Sequence, residues 1–179
     1  ADDACAFIKA ISEAVACGLG VYNTPWTSAL DMDAGFLDRI CAFDNVVGLK
    51  WYSGNWNTWA RVIRQFRDRL SIVSNYGALY APLAFLLGAR GYVSQDVSAV
   101  PRPHVKIAAH LQTGEFEEAL EPLELVQEGY YNDVLSVVSR AGFGGEPNFI
   151  KAAMDAAEFP CGPARLPTRP LTPELCENM

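Results

Sequence analysis

Two short segments of the chain end in side chains that can carry covalent and proton-transfer chemistry. The apolar run 46–49 (VVGL) leads directly into Lys50, and a second short run leads into Tyr22. A neutral lysine amine attacks a keto carbon to form an imine, and apolar surroundings disfavour the charged amine. A phenol next to such an amine can transfer protons as an acid and a base. By itself this pattern equally fits a lysine that extends to solvent and a tyrosine that packs in the core.

Short apolar segments alternate with amphipathic helices through the first hundred residues. Such alternation is typical of a parallel α/β sheet. Asp33 and Asn57 stand before two of the helices and are predicted to cap them. The predicted strands are 18–23, 46–50, 70–75 and 91–94, and the predicted helices are 2–16, 34–43, 58–69 and 78–89.

The pattern changes after Pro101, where no further strand is indicated. Apolar periodicity predicts helices over 103–112, 115–141 and 146–158, followed by a proline-rich end. We therefore expect two parts, a barrel-like part over 1–102 and a helical part over 103–179.

Each predicted strand ends in polar residues, and in parallel α/β folds the ligand lies at the carboxyl ends of the strands. We expect these polar ends to meet at one edge of the sheet, which predicts the site there. They are Tyr22 with Asn23, Lys50, Ser74 with Asn75, and Ser94 with Gln95 and Asp96.

The composition argues against several functional classes. A net charge of −7 disfavours a nucleic-acid partner, and no apolar run is long enough to span a membrane. Five cysteines without a CxxC pair indicate neither disulfides nor zinc, which favours a cytoplasmic compartment. His104 and His110 are six residues apart on a predicted helix and cannot share a metal there. We expect no metal, no other cofactor and no membrane partner.

Four segments, in order along the chain, resemble motifs of one enzyme family. GVYNTP (20–25) resembles a Tyr-Asn-x-Pro segment that follows the fifth strand of a barrel. VVGLK (46–50) resembles the segment whose lysine forms a Schiff base. FLLGARGYVS (85–94) resembles the approach to the eighth strand, and 149–171 resembles the C-terminal helical region. On these segments, the chain is similar to the dihydrodipicolinate synthase / N-acetylneuraminate lyase family over nearly its whole length.

The resemblance implies a (β/α)8 TIM barrel with extra C-terminal helices, of which this chain supplies the second half, strands five to eight. The family's Gly-Thr-Thr-Gly-Glu-type loop, which holds the substrate carboxylate, then lies outside the chain. We expect residues 1–179 alone to be an incomplete catalyst with an open sheet edge, which promotes association. The family's barrels commonly form tetramers, so we also expect a homo-oligomer, either a dimer or a tetramer.

The resemblance further implies a lyase that acts on a small-molecule 2-oxo acid. Lys50 forms the imine, and Tyr22 carries protons with its hydroxyl within reach of the amine, directly or through one water. Aldol cleavage and dehydration of a 2-oxo-3-deoxy sugar acid start from the same imine and stay open. Dihydrodipicolinate synthase itself and an inactive partial homologue that serves as an interaction module are the alternatives.

Two positions depart from the family and mark specificity. Thr27 stands where dihydrodipicolinate synthases usually carry an arginine that meets a carboxylate, and Trp51 stands where an acidic residue commonly follows the lysine. Trp26, Tyr52 and Trp56 add to an aromatic mouth of the site. The candidate substrate-binding residues are Thr27, Trp51, Ser74, Asn75, Ser94 and Gln95, each with a loop-capping or packing role as the alternative.

Overall fold

The structure is a computed structural model that describes residues 1–28, 30–127 and 145–176. It contains two compact units, Ala1–Val93 and Ser94–Met179. The predicted boundary after residue 102 stays a prediction, because compactness does not decide which residues belong to a barrel.

The first unit alternates helices with parallel strands, which confirms the predicted α/β class. All four predicted strands are present, each within a few residues of its expected bounds. The elements are α1 (Asp2–Ala14), β1 (Leu19–Tyr22), α2 (Ala34–Ile40), β2 (Val46–Trp51), α3 (Trp56–Phe66), β3 (Ser71–Ser74), a 3-10 turn (Ala78–Tyr80), α4 (Ala81–Leu87) and β4 (Gly91–Tyr92).

The strands form one parallel sheet in the order β1-β2-β3-β4. Tyr22 is level with Lys50, Lys50 with Val73, and Val73 with Gly91. Residues level across a sheet share a face, while successive residues of one strand point to opposite faces. We call these four residues, Tyr22, Lys50, Val73 and Gly91, the Lys50 row, and the side of the sheet that carries them the Lys50 face.

The opposite side of the sheet packs against the helices, and we call it the helix-packed face. Leu49 and Trp51 of β2 and Ile72 of β3 are buried there, within one apolar cluster that also contains Trp59 and Ile63 of α3. Burial of this apolar surface is the main force that holds strand and helix layers together.

Local signals determine where the helices begin and end. The Asp33 side chain accepts a hydrogen bond from the Phe36 amide, which confirms the predicted cap of α2. The predicted cap of α3 is wrong: Asn55, not Asn57, accepts from the Thr58 amide, so α3 begins at Trp56. Helix α1 ends at Ala14, two residues before the predicted end at residue 16.

The second unit is helical in its described part. A 3-10 turn (Asp96–Ser98) precedes α5 (Pro101–Thr113), α6 (Leu120–Val126), α7 (Gly145–Ala156) and α8 (Pro173–Cys176). The helix predicted over 115–141 is confirmed only as α6, and its part from 128 onward lies outside the described residues. Across the described residues, no helix has the length and apolar character that a membrane span requires.

Candidate active site

Lys50 is the second-last residue of β2 and lies between Tyr22 and Val73 on the Lys50 face. Its side chain is partly exposed. The neighbouring positions toward the amino ends of the strands are small, with Gly20 level with Gly48. The sheet therefore presents the lysine amine on an accessible surface with little side-chain bulk beneath it.

The lysine amine lies over the ring of Tyr22. The distance from Lys50 Nζ to the ring centroid is 4.0 Å, within the range of a cation–π contact. Of the two expected arrangements, the direct hydrogen bond between the Tyr22 hydroxyl and the Lys50 amine is not formed, and a link through one water stays a prediction. The amine contacts the ring face of Tyr22 instead.

The Tyr22 hydroxyl is held by Asn75, which follows β3. Asn75 Nδ2 donates to the hydroxyl oxygen at 2.8 Å, and the Asn75 amide donates to the Trp51 carbonyl at 2.9 Å. Because the hydroxyl oxygen accepts from Asn75, its own hydrogen is available to a different acceptor. The structure thus brings three of the predicted site residues together: Lys50, Tyr22 and Asn75.

Asn23 is fully buried and fastens the loop that follows β1. Its Nδ2 donates to Asp31 Oδ1 at 2.8 Å and to the Tyr52 carbonyl at 2.7 Å, while its Oδ1 accepts from the Met32 amide at 3.0 Å. All of its contacts are within the protein, so Asn23 shapes the loop beside Tyr22.

Two predicted substrate-binding residues lie on the helix-packed face of the sheet. Trp51 is fully buried, and its indole nitrogen donates to the Trp59 carbonyl at 3.2 Å. Ser74 is level with Trp51 and is also fully buried. This burial favours the packing alternative for both residues, because successive residues of one strand point to opposite faces, so that Trp51 points away from Lys50. A substrate contact by either residue stays a prediction.

Thr27 is exposed in the loop after β1. Its hydroxyl donates back to the Thr24 carbonyl at 3.3 Å, and its amide donates to the same carbonyl at 3.0 Å. Both contacts close a turn, which matches the loop-capping alternative for this residue. A substrate contact by Thr27 stays a prediction.

Aromatic rings extend from Tyr22 across the loops after β1, β2 and β3. Trp26 contacts Tyr22 and Tyr52 edge to face, and Tyr52 stacks on Tyr76 with ring centroids 4.7 Å apart. The contacting rings include Trp26, Tyr52 and Trp56 of the expected aromatic mouth but not Trp51, and their role as the mouth of a site stays a prediction. We call this set the aromatic row; it consists of Tyr22, Trp26, Tyr52, Tyr76, Trp56 and Tyr80.

Tyr76 lies at the centre of the aromatic row. Its hydroxyl donates to the Ser53 carbonyl. Burial, followed by the neighbouring phenols of Tyr52 and Tyr80, raises the pKa of Tyr76 to about 12. Tyr76 therefore stays neutral at ordinary pH. The sequence pattern gave no reason to single out Tyr80, although it follows the end of β3 as Trp26 follows β1.

Ser94 and Gln95 belong to the second unit. Ser94 is buried and its hydroxyl donates to Asp96, and the other Asp96 oxygen lies 2.9 Å from His104 Nε2. This network ties the segment after β4 to α5. Gln95 is exposed at the start of the 3-10 turn. Substrate contacts by Ser94 and Gln95 stay predictions.

His104 and His110 are both on α5, as predicted. His110 Nδ1 lies 2.9 Å from a Glu115 oxygen. Of the residues that the structure describes, no group of three or more His, Cys, Asp or Glu side chains is arranged to hold a metal ion.

Comparison with known proteins assigns a family. The model of the dihydrodipicolinate synthetase family matches residues 1–179. This chain belongs to that family. It is 28% identical over 171 residues to the 4-hydroxy-tetrahydrodipicolinate synthase of Oceanobacillus iheyensis, covering 96% of this chain and 55% of that protein. It is 29% identical over 172 residues to the Clostridium perfringens enzyme of the same name, covering 96% and 54%.

Solved structures have the same fold. The chloride-inhibited dihydrodipicolinate synthase of Acinetobacter baumannii, solved with pyruvate, superposes with a TM-score of 0.81 at 22% identity. The match covers 98% of this chain and 57% of that one. The chain thus spans little more than half the length of the relatives it matches.

Proposed function

We propose that Lys50 forms a Schiff base with the keto carbon of a 2-oxo acid and that the protein is a lyase acting through this imine. The observation that carries the proposal is the Lys50 row itself. It places a partly exposed amine at the carboxyl end of a parallel strand, over a tyrosine whose hydroxyl is fixed by Asn75. Family membership supports the same chemistry.

The reaction needs proton transfers that Tyr22 is placed to perform. The neutral amine adds to the keto carbon, a proton reaches the departing oxygen, and water leaves to form the imine. Once protonated, the imine accepts an electron pair from the neighbouring carbon and becomes an enamine. In the proposal, the Tyr22 hydroxyl acts as general acid and base in these steps. Its hydrogen bond from Asn75 favours a defined direction for the proton it gives.

We further propose that β1 to β4 are strands five to eight of a (β/α)8 barrel. The parallel order of four strands, the barrel-fold relatives and the share of those relatives that the chain matches support this placement. The same relationship supports a homo-oligomer as the working assembly. We also propose a cytoplasmic location, because four cysteines of the described residues are free: Cys5, Cys17, Cys41 and Cys161.

Two reactions start from the proposed imine. An aldolase breaks the bond between C3 and C4, whereas a dehydratase removes a C3 proton and expels a hydroxyl. Dihydrodipicolinate synthase activity is the second candidate, because the related enzymes carry that function in their names. Against it, Thr27 stands in place of a carboxylate-binding arginine and engages its own turn.

Borohydride trapping tests the proposal directly. The longest natural form of the chain is incubated with pyruvate, reduced, and examined by intact mass and peptide mapping. We expect one adduct, on Lys50, out of the four lysines of this sequence. Lys50→Arg should abolish the adduct. The matched control is Lys9→Arg at an exposed site paired with Glu13, and it should retain the adduct. An adduct on another lysine contradicts the role of Lys50, and no adduct favours the inactive homologue.

A further inference from the structure

The loops around the Lys50 row have an unusual charge pattern. Segments 23–33, 52–55 and 75–80 follow β1, β2 and β3, and none of them contains lysine or arginine. Their only charged residues are Asp31 and Asp33. Asp31 accepts from Asn23, and Asp33 caps α2. In these three loops, a second carboxylate on a substrate would find no cation.

Trp26 is a large and exposed aromatic side chain in the loop after β1. It is 55% exposed, yet two rings fix its orientation. Its centroid lies 6.2 Å from that of Tyr22 at 74° and 4.7 Å from that of Tyr52 at 89°. A ring whose orientation is fixed by two edge-to-face contacts, and which is still more than half exposed, is a preorganised flat apolar contact.

The order of the rings relates Trp26 to the reacting amine. Lys50 occupies a face of Tyr22, and Trp26 is a ring in edge-to-face contact with Tyr22. A 2-oxo acid bound to Lys50 as an imine extends its remaining carbons away from the amine. A contact one ring away is well placed to meet the group attached at C4.

We propose that Trp26 is a specificity-determining residue and that it selects substrates whose C4 group is uncharged and aromatic. This inference rests on the proposed function. The substrate class is a 4-aryl-4-hydroxy-2-oxo acid, or in the reverse direction pyruvate and an aryl aldehyde. The flat face of Trp26 binds the aryl ring, and the absence of lysine and arginine from the three loops disfavours a dicarboxylate.

The atoms and electrons of this reaction balance without an added reagent. The Lys50 imine forms with loss of one water. Tyr22 gives its proton to the imine nitrogen, the C3–C4 bond breaks, and its electron pair moves into the enamine while the C4 hydroxyl returns a proton to the Tyr22 oxygen as the aldehyde carbonyl forms. The enamine takes that proton from Tyr22 at C3, and one water then hydrolyses the protonated imine to release pyruvate and Lys50, with the remaining proton returning to Tyr22.

The test measures kcat/KM for condensation of pyruvate with three aldehydes: benzaldehyde, succinic semialdehyde and glyceraldehyde. It uses the longest natural form of the chain, with the variants Trp26→Ala and Trp26→Phe. Phe7→Ala, which removes an exposed ring from α1, is the control. Trapping of pyruvate on Lys50 is measured in every variant.

We expect the unmodified protein to prefer benzaldehyde. Trp26→Ala should lower kcat/KM for benzaldehyde by about tenfold or more, and for the other aldehydes by less than about threefold. Trp26→Phe should recover most of the loss, and Phe7→Ala should change nothing. Trapping on Lys50 should persist throughout.

Four results overturn the inference. With trapping intact, a preference for succinic semialdehyde or an equal loss on all three aldehydes in Trp26→Ala removes the role of Trp26 and leaves the proposed function standing. Unaltered kinetics in Trp26→Ala do the same. If the unmodified protein traps no pyruvate on Lys50, the proposed function and this inference fail together.

Discussion

Lys50 and Trp51 are neighbours in sequence and lie on opposite sides of the sheet. Trp51 is fully buried against α3, on the helix-packed face, whereas Lys50 is partly exposed over Tyr22. The same strand thus supplies buried apolar surface with one face and, in the proposed function, chemistry with the other. Because side chains alternate along a strand, one backbone can be rigidly packed and still present an accessible amine.

The largest expected effect comes from removing the amine on the Lys50 face. Lys50→Met should abolish borohydride-trapped adduct and turnover, because no other group in the row can form an imine. The free energy of unfolding should change by no more than about 0.5 kcal/mol, as for most exposed substitutions. Intact mass and denaturant titration measure the two quantities. A large loss of stability would show that the two faces are not separable.

Tyr22→Phe keeps the ring under Lys50 and removes only the hydroxyl. We expect turnover to fall by about 10²–10⁴, the usual contribution of a positioned acid or base. Tyr80→Phe is the matched control, since it makes the same change in a ring outside the Lys50 row. Steady-state kinetics on both variants decide the matter, and turnover unchanged in Tyr22→Phe would limit that residue to packing.

Trp51→Ala tests the helix-packed face at the position adjacent to Lys50. Loss of a large buried ring and of its hydrogen bond to the Trp59 carbonyl should lower the free energy of unfolding by about 3–5 kcal/mol. Trp26→Ala, at an exposed tryptophan, should cost much less. Denaturant midpoints give the comparison, and equal costs would mean that burial does not distinguish the two sites.

Ser74→Ala separates a packing role from a substrate contact. The Ser74 hydroxyl is fully buried, and no partner for it is found among the residues that the structure describes. Removing a buried unpaired hydroxyl should raise stability by about 1 kcal/mol, with turnover unchanged. Thermal unfolding and kinetics are measured together. Lower turnover at unaltered stability would instead favour a substrate contact by Ser74.

The smallest effect concerns pH and the aromatic row. Tyr76 has its pKa raised from 10.0 to about 12 by burial and by Tyr52 and Tyr80, so folding favours the protonated phenol. That stabilisation is complete below pH 10 and is lost as the pH rises toward 12. Tyr76→Phe should therefore show a shallower loss of stability over this range. Parallel slopes for both proteins would contradict the assignment.

Much of the fold was accessible from local sequence signals. Four apolar runs, each bounded by polar residues, gave strands within a few residues of β1 to β4, and Asp33 was identified as a cap. The errors were also local: Asn55 and Asn57 are both acceptable caps, and only the path of the chain after β2 selects Asn55. The local sequence pattern does not determine that path.

For the candidate site too, one part was predictable from the sequence and another part was not. The sequence by itself determined that Lys50 and Tyr22 end neighbouring apolar strands, because chain order and strand polarity bring such ends to one edge. Only the tertiary structure decided the faces. In the structure, Tyr22 and Asn75 lie with Lys50, whereas Trp51 and Ser74 are buried on the other side of the sheet. Whether a given side chain meets solvent or a helix depends on strand register and on what packs against each side, and neither is written in the local sequence.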